Sequence, residues 1–80
     1  MKLEVVTTEE TVFSEDVDIV IAPGAEGQLG ILPRHASLLT ALNSGNIVVR
    51  KDGLESVITV NGGFLEVAGD HVRILANSNQ

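Results

Sequence analysis

Cysteine, tryptophan and tyrosine are all missing from this 80-residue chain, and Phe13 and Phe64 are its only aromatic residues. Without cysteine there is no disulfide and no thiolate metal site, so a domain this small must rely on its core and its partners. The same absence suits a reducing compartment. So few aromatic faces argue against a stacking platform for bases or sugars. Positive charge is scarce too. Five Lys and Arg against eleven Asp and Glu leave a formal charge of −6, which repels a phosphate backbone. No apolar run approaches the roughly 20 residues that span a bilayer, and Met1-Lys2-Leu3-Glu4 opens no signal peptide. The expectation is a soluble, cytoplasmic chain that can still sit beside a membrane by holding a membrane protein.

What is present is aliphatic. Hydrophobic residues make up 44% of the chain, so one domain with a Val/Ile/Leu core is expected, without room for a second. Alternation with period 2 dominates. Leu3 and Val5 share a face in Leu3–Thr7, and Val17, Ile19 and Ile21 alternate with Asp16, Asp18 and Val20 in Asp16–Ile21. The second half reads as a meander. Ile47–Arg50 and Glu55–Val60 flank Asp52-Gly53, a strong hairpin signal. Asn61-Gly62-Gly63 is expected to turn the chain into Phe64–Ala68, and Gly69-Asp70 into His71–Leu75. Turns at this spacing indicate an all-β sandwich or barrel. In His35–Leu42, Leu38, Leu39 and Leu42 have helical spacing, so the pattern alone leaves helix and extended structure both open.

Catalytic chemistry is thin. His35 and His71 lie far apart in sequence, and His71, next to Gly69-Asp70, reads as a solvated turn residue. No nucleophile sits beside a base. Glu9-Glu10 and Glu15, Asp16 and Asp18 read as solvated strand edges and lack the ligand alternation of a calcium loop. Gly24, Gly27 and Gly30 do not have dinucleotide or P-loop spacing, and Glu26 stands where phosphate would need a cation. Their expected role is structural, letting the backbone turn tightly twice. No catalytic, cofactor-binding or metal-ligating set is expected.

One segment carries more. Ala22-Pro23-Gly24-Ala25-Glu26-Gly27-Gln28-Leu29-Gly30-Ile31-Leu32-Pro33-Arg34-His35-Ala36-Ser37-Leu38-Leu39-Thr40-Ala41-Leu42 resembles the signature of the epsilon subunit of F-type ATP synthases. The match continues through Leu3-Glu4-Val5-Val6-Thr7 and Phe13-Ser14, then Gly62-Gly63-Phe64-Leu65-Glu66-Val67 and Val72-Arg73-Ile74-Leu75-Ala76. The chain departs from the family pattern at Gln28, usually an acid, at Arg34, usually Gly, and at Ser37, usually Pro. A neutral Gln28 loses the charge-assisted part of any contact. Arg34 instead adds a planar donor fork for a partner carboxylate, and its presence suggests a backbone without positive φ.

The resemblance implies a small two-sheet, largely antiparallel β-sandwich over residues 1–76 with a polar tail, 77–80, and it favours extended structure at His35–Leu42. It implies a non-catalytic rotor subunit that links gamma to the subunit c ring at the cytoplasmic face of the bacterial inner membrane. Expected ring contacts are Glu26, Gly27, Gln28, Leu29, Arg34 and His35. Expected gamma contacts are Thr7, Thr8, Leu39, Thr40, Gly45 and Asn46, and an exposed apolar patch should mark where gamma docks. The family's C-terminal helical hairpin has no counterpart before Gln80, and Asn77–Gln80 lacks its usual opening. Two explanations stay open, a naturally short form, which that tail favours slightly, and a shortened piece of a longer chain; either way no arm-mediated inhibition and no nucleotide or other cofactor is expected. The competing readings are a free-standing β-sandwich binding ligands or proteins, and a small hydrolase using His35 with Glu26.

Overall fold

The computed structural model describes residues 1–34 and 36–77. Seven strands run in chain order: β1 (Lys2–Val6), β2 (Thr11–Asp16), β3 (Ile19–Gly24), β4 (Gly27–Ile31), β5 (Leu38–Lys51), β6 (Leu54–Ala68) and β7 (His71–Ala76). No helix occurs among the described residues. Hydrogen bonds join the strands into one sheet of order β2-β1-β7-β6-β5-β3-β4. Every neighbouring pair is antiparallel except β1 with β7. The all-β, largely antiparallel expectation holds, and Leu38–Leu42 is extended.

The two expected sheets are halves of this one sheet, folded over through the long β5–β6 pair. Inward positions change parity along both strands. In β5 the buried Leu42 gives way to Ile47 and Val49, and in β6 Val60 gives way to Leu65 and Val67. The parity change falls at Asn43–Gly45 and at Gly62-Gly63. The corner is tied by Ser44 Oγ donating to Asn61 Oδ1 (3.0 Å) and by Asn77 N donating to the Gly62 carbonyl (3.0 Å). Gly63 has φ 141°, and a methyl there would collide with the Leu75 carbonyl oxygen. Folding brings Leu3 and Val5 of β1 into one core with Val20 and Ala22 of β3, four strands away in the hydrogen-bonding order. That core is wholly aliphatic at its buried positions, with Phe13 half-buried against it.

Three sequence expectations are corrected. Asn61-Gly62-Gly63 does not reverse the chain; it bends β6, which continues to Ala68. Asp16–Ile21 is not one strand: Asp16 ends β2, Val17 and Asp18 link, and β3 begins at Ile19. Burial follows that break, because Val20 and Ala22 point inward while Ile19 and Ile21 are only half-buried. The glycine segment turns once rather than twice. Gly24 and Gly27 close the β3–β4 hairpin around Ala25-Glu26, whereas Gly30 pairs with Ile21 inside β4. The Asp52-Gly53 hairpin forms as expected, both residues having positive φ (52° and 78°) as a tight two-residue turn requires.

Candidate functional site

Alternation on the β7–β6–β5 half places Leu65, Val67, Val72 and Ile74 inside, so their neighbours along each strand point out. Several of those outward residues are apolar. Phe64 pairs directly with Leu75, Leu75 with Val6, and Phe64 with Ala41, giving an apolar row across four strands. Leu39 lies two residues along β5 on the same face. Leu39, Phe64 and Leu75 are 72%, 56% and 47% exposed. The expected apolar patch exists. Of the expected gamma contacts only Leu39 belongs to it, with Thr40 half-buried beside it. Phe64 and Leu75 were missed, although their signal was legible: each shares its outward parity with a charged residue, Glu66 or Arg73.

The β3–β4 hairpin projects at the start of β5. Gly24 pairs with Leu42, and Ala25 N donates to the Ala41 carbonyl (3.0 Å). One shallow cleft is therefore lined by Gly24, Glu26, Gly27, Gln28 and Leu29 together with Leu38, Leu39 and Thr40. Four expected ring contacts thus share a surface with two expected gamma contacts. Glu26, Gly27 and Gln28 are exposed and Leu29 is half-buried. A methyl at Gly24 would meet the Gly27 carbonyl oxygen at 2.6 Å, and Gly27 holds φ 134°, so the tip conformation depends on both glycines.

The remaining expected contacts that are described, Arg34, Thr7, Thr8, Gly45 and Asn46, do not line this cleft. Arg34 follows Pro33 in an exposed turn three residues beyond the opposite end of β4, with φ 66°. The expectation of a backbone without positive φ is thereby overturned. Left-handed backbone costs a side-chain-bearing residue about 1–2 kcal/mol. His35 lies outside the described residues, so neither its ring contact nor a hydrolase pairing with Glu26 has a described geometry. Thr7 has a local task, its Oγ1 accepting from the backbone N–H of Glu9 and of Glu10 (both 3.2 Å) to close the β1–β2 turn. Thr8 is exposed in that turn. Gly45 and Asn46 lie in the β5 corner, where Asn46 Oδ1 accepts from Thr59 Oγ1 (2.9 Å).

One polar cluster adjoins the apolar row. Glu4 of β1 is level with Arg73 of β7. Its Oε1 accepts from His71 Nε2 (2.7 Å) and Arg73 Nη2 (3.4 Å). The hydrogen bond from His71, then that from Arg73, holds the Glu4 carboxyl below its ordinary range. His71 is therefore a half-buried strand residue with a partner, contrary to the solvated-turn expectation. No group of three or more metal-ligating side chains occurs among the described residues.

Comparison with known proteins agrees with this architecture. Residues 1–80 match the family model described as the ATP synthase delta/epsilon chain β-sandwich domain. The ATP synthase epsilon chain of Dehalococcoides mccartyi strain CBDB1 is 51% identical over 78 residues, covering 98% of this chain and 56% of that protein. That of Pelotomaculum thermopropionicum is 48% identical over 77 residues, covering 96% and 58%. The chain thus spans a little over half the length of these curated relatives. Among solved structures, a chain of the Euglena gracilis mitochondrial ATP synthase (OSCP, F1 and c-ring) superposes with a TM-score of 0.86 at 25% identity, covering 98% of this chain and 49% of that one. A chain from the central stalk and c-ring of the Tetrahymena thermophila enzyme gives 0.80 at 17% identity, covering 96% and 63%, which speaks to fold alone.

Proposed function

Because the chain belongs to the ATP synthase delta/epsilon-chain β-sandwich family, we propose that it is a non-catalytic piece of the central stalk of an F-type ATP synthase. It links the gamma subunit to the subunit c ring, so that ion-driven rotation of the ring reaches the catalytic head. Residues 1–76 act as the sandwich. The assembly lies at the cytoplasmic face of a bacterial inner membrane, with this domain peripheral to the bilayer. The role is mechanical.

The observation that carries this reading is the outward row of Val6, Leu75, Phe64 and Ala41 with Leu39 beside it. Such a row on a small domain with a filled aliphatic interior is what a permanent partner covers. We assign this face to gamma and the tip Glu26-Gly27-Gln28, with Leu29 behind it, to the ring loops. Arg34 and His35 are kept as further proposed ring contacts. Leu39 and Thr40 line the cleft beside the tip, so gamma and the ring meet the domain at adjoining surfaces.

Phe64→Asp tests the assignment. Phe64 is exposed, so the variant keeps its fold, while burial of one such side chain is worth about 1.5–3 kcal/mol. Affinity for purified gamma should fall by tenfold or more. A folded Phe64→Asp chain that co-purifies with gamma undiminished would remove this face as the docking surface. A parent chain that associates with neither gamma nor the ring would remove the rotor reading itself.

A further inference from the structure

We infer that Arg34 is a specificity-determining contact that reads a carboxylate on a protein loop facing the β4–β5 turn. Arg34 would act within the rotor reading proposed above, on which this assignment rests. Among the described residues, two other than glycine have positive φ, Arg34 and Asp52. Asp52 is explained where it stands: its turn demands that backbone, Asp tolerates it, and its N–H donates to Asp18 Oδ2 (2.9 Å). Arg34 has no such account. Its long side chain has no local means of offsetting left-handed backbone, and glycine would occupy the position without strain.

Its electrostatics point the same way. Arg50 pairs with Glu55 (2.9 Å), Lys51 with Glu15 (3.5 Å) and Arg73 with Glu4 (3.4 Å). Lys2 and Arg34 have no ion pair among the described residues, although the chain holds eleven acids, and of the two only Arg34 also has positive φ. A strained, exposed guanidinium with no ion-pair partner among the described residues of an acidic domain is a donor fork open to an outside acceptor. Planar carboxylates match that fork bidentately. An anionic lipid headgroup matches it less well in context, because the chain's charge of −6 opposes approach to a negative surface.

Thermal melting of Arg34→Gly and Arg34→Lys, with their binding to a purified gamma–subunit c ring assembly, tests this. Arg34→Gly should melt about 4–8 °C higher as the strain is relieved and yet bind about tenfold more weakly at low salt, the deficit shrinking as salt rises. Arg34→Lys should keep part of the affinity. Changing the matching partner carboxylate to its amide should cost the parent chain affinity and cost Arg34→Gly none, the signature of a coupled pair. Full affinity in Arg34→Gly, with the parent bound, overturns the contact alone. An unchanged melting point removes the strain that motivates it. Arg34-dependent binding to anionic lipid vesicles would replace carboxylate recognition with phosphate recognition. If the parent chain fails to bind the assembly, the rotor reading falls and this contact falls with it.

Discussion

Glu4 accepts hydrogen bonds from two cationic-type donors, and only one conclusion about pH follows from its depressed pKa. A carboxyl whose folded pKa is lowered contributes stability that is fully present above its unfolded value, near 4.5. That contribution is lost as pH falls through the folded value. Glu4→Gln should therefore lower the urea midpoint at pH 7, and the gap to the parent should close in strongly acidic buffer. A gap of equal size at pH 7 and pH 3 would mean that Glu4 acts by packing and not by charge. When His71 is neutral, the proton must sit on Nε2 for it to donate to the carboxylate. Nothing local in the sequence predicts this pairing, since Glu4 and His71 lie at opposite ends of the chain and meet only through the parallel β1–β7 pair. The position of His71 just after Gly69-Asp70 suggested a solvated turn for the same reason.

At the scale of elements, two glycines separate bending from spacing. Gly63 stands at the β6 corner with φ 141°, facing the Leu75 carbonyl oxygen, whereas Gly30 lies in β4 with no atom within 4 Å of an added methyl. Gly63→Ala should cost about 3 kcal/mol or more, because both the backbone angle and the space are wrong. Gly30→Ala should leave stability within about 0.5 kcal/mol of the parent or raise it slightly. Paired denaturant titrations decide this, and equal effects would reject the corner as the strained point. The corner also shows where sequence reading stops. Asn61-Gly62-Gly63 carries the marks of a turn, and local chemistry cannot say whether the chain reverses or bends. The distinction is made by β5, whose own parity change beside Ser44 lets both long strands bend together. Asp16–Ile21 misled similarly, because alternation continues across the link between β2 and β3. The hairpin at Asp52-Gly53 was legible, since its turn is complete within two residues.

For the whole molecule, adjacent residues divide stability from assembly. Leu65 is fully buried, while Phe64 next to it is 56% exposed. Leu65→Ala should cost about 2–5 kcal/mol, a large share of the roughly 4–12 kcal/mol expected for a domain of this size. Strand class and aliphatic core were legible from alternation, as was the outward parity of Phe64 and Leu75; that these residues join into one row across four strands follows only from the strand pairing. Gamma at a hundred times its Kd should raise the stability of the chain by about 2.7 kcal/mol. Because Leu65 does not touch the proposed docking face, Leu65→Ala should gain that same increment from a lower starting point. Phe64→Asp should start near the parent and gain much less. Melting curves of the three chains at increasing gamma concentration separate these cases. Equal increments in all three would place docking elsewhere on the sandwich, whereas a lost increment in Leu65→Ala would mean that the face depends on the packing beneath it.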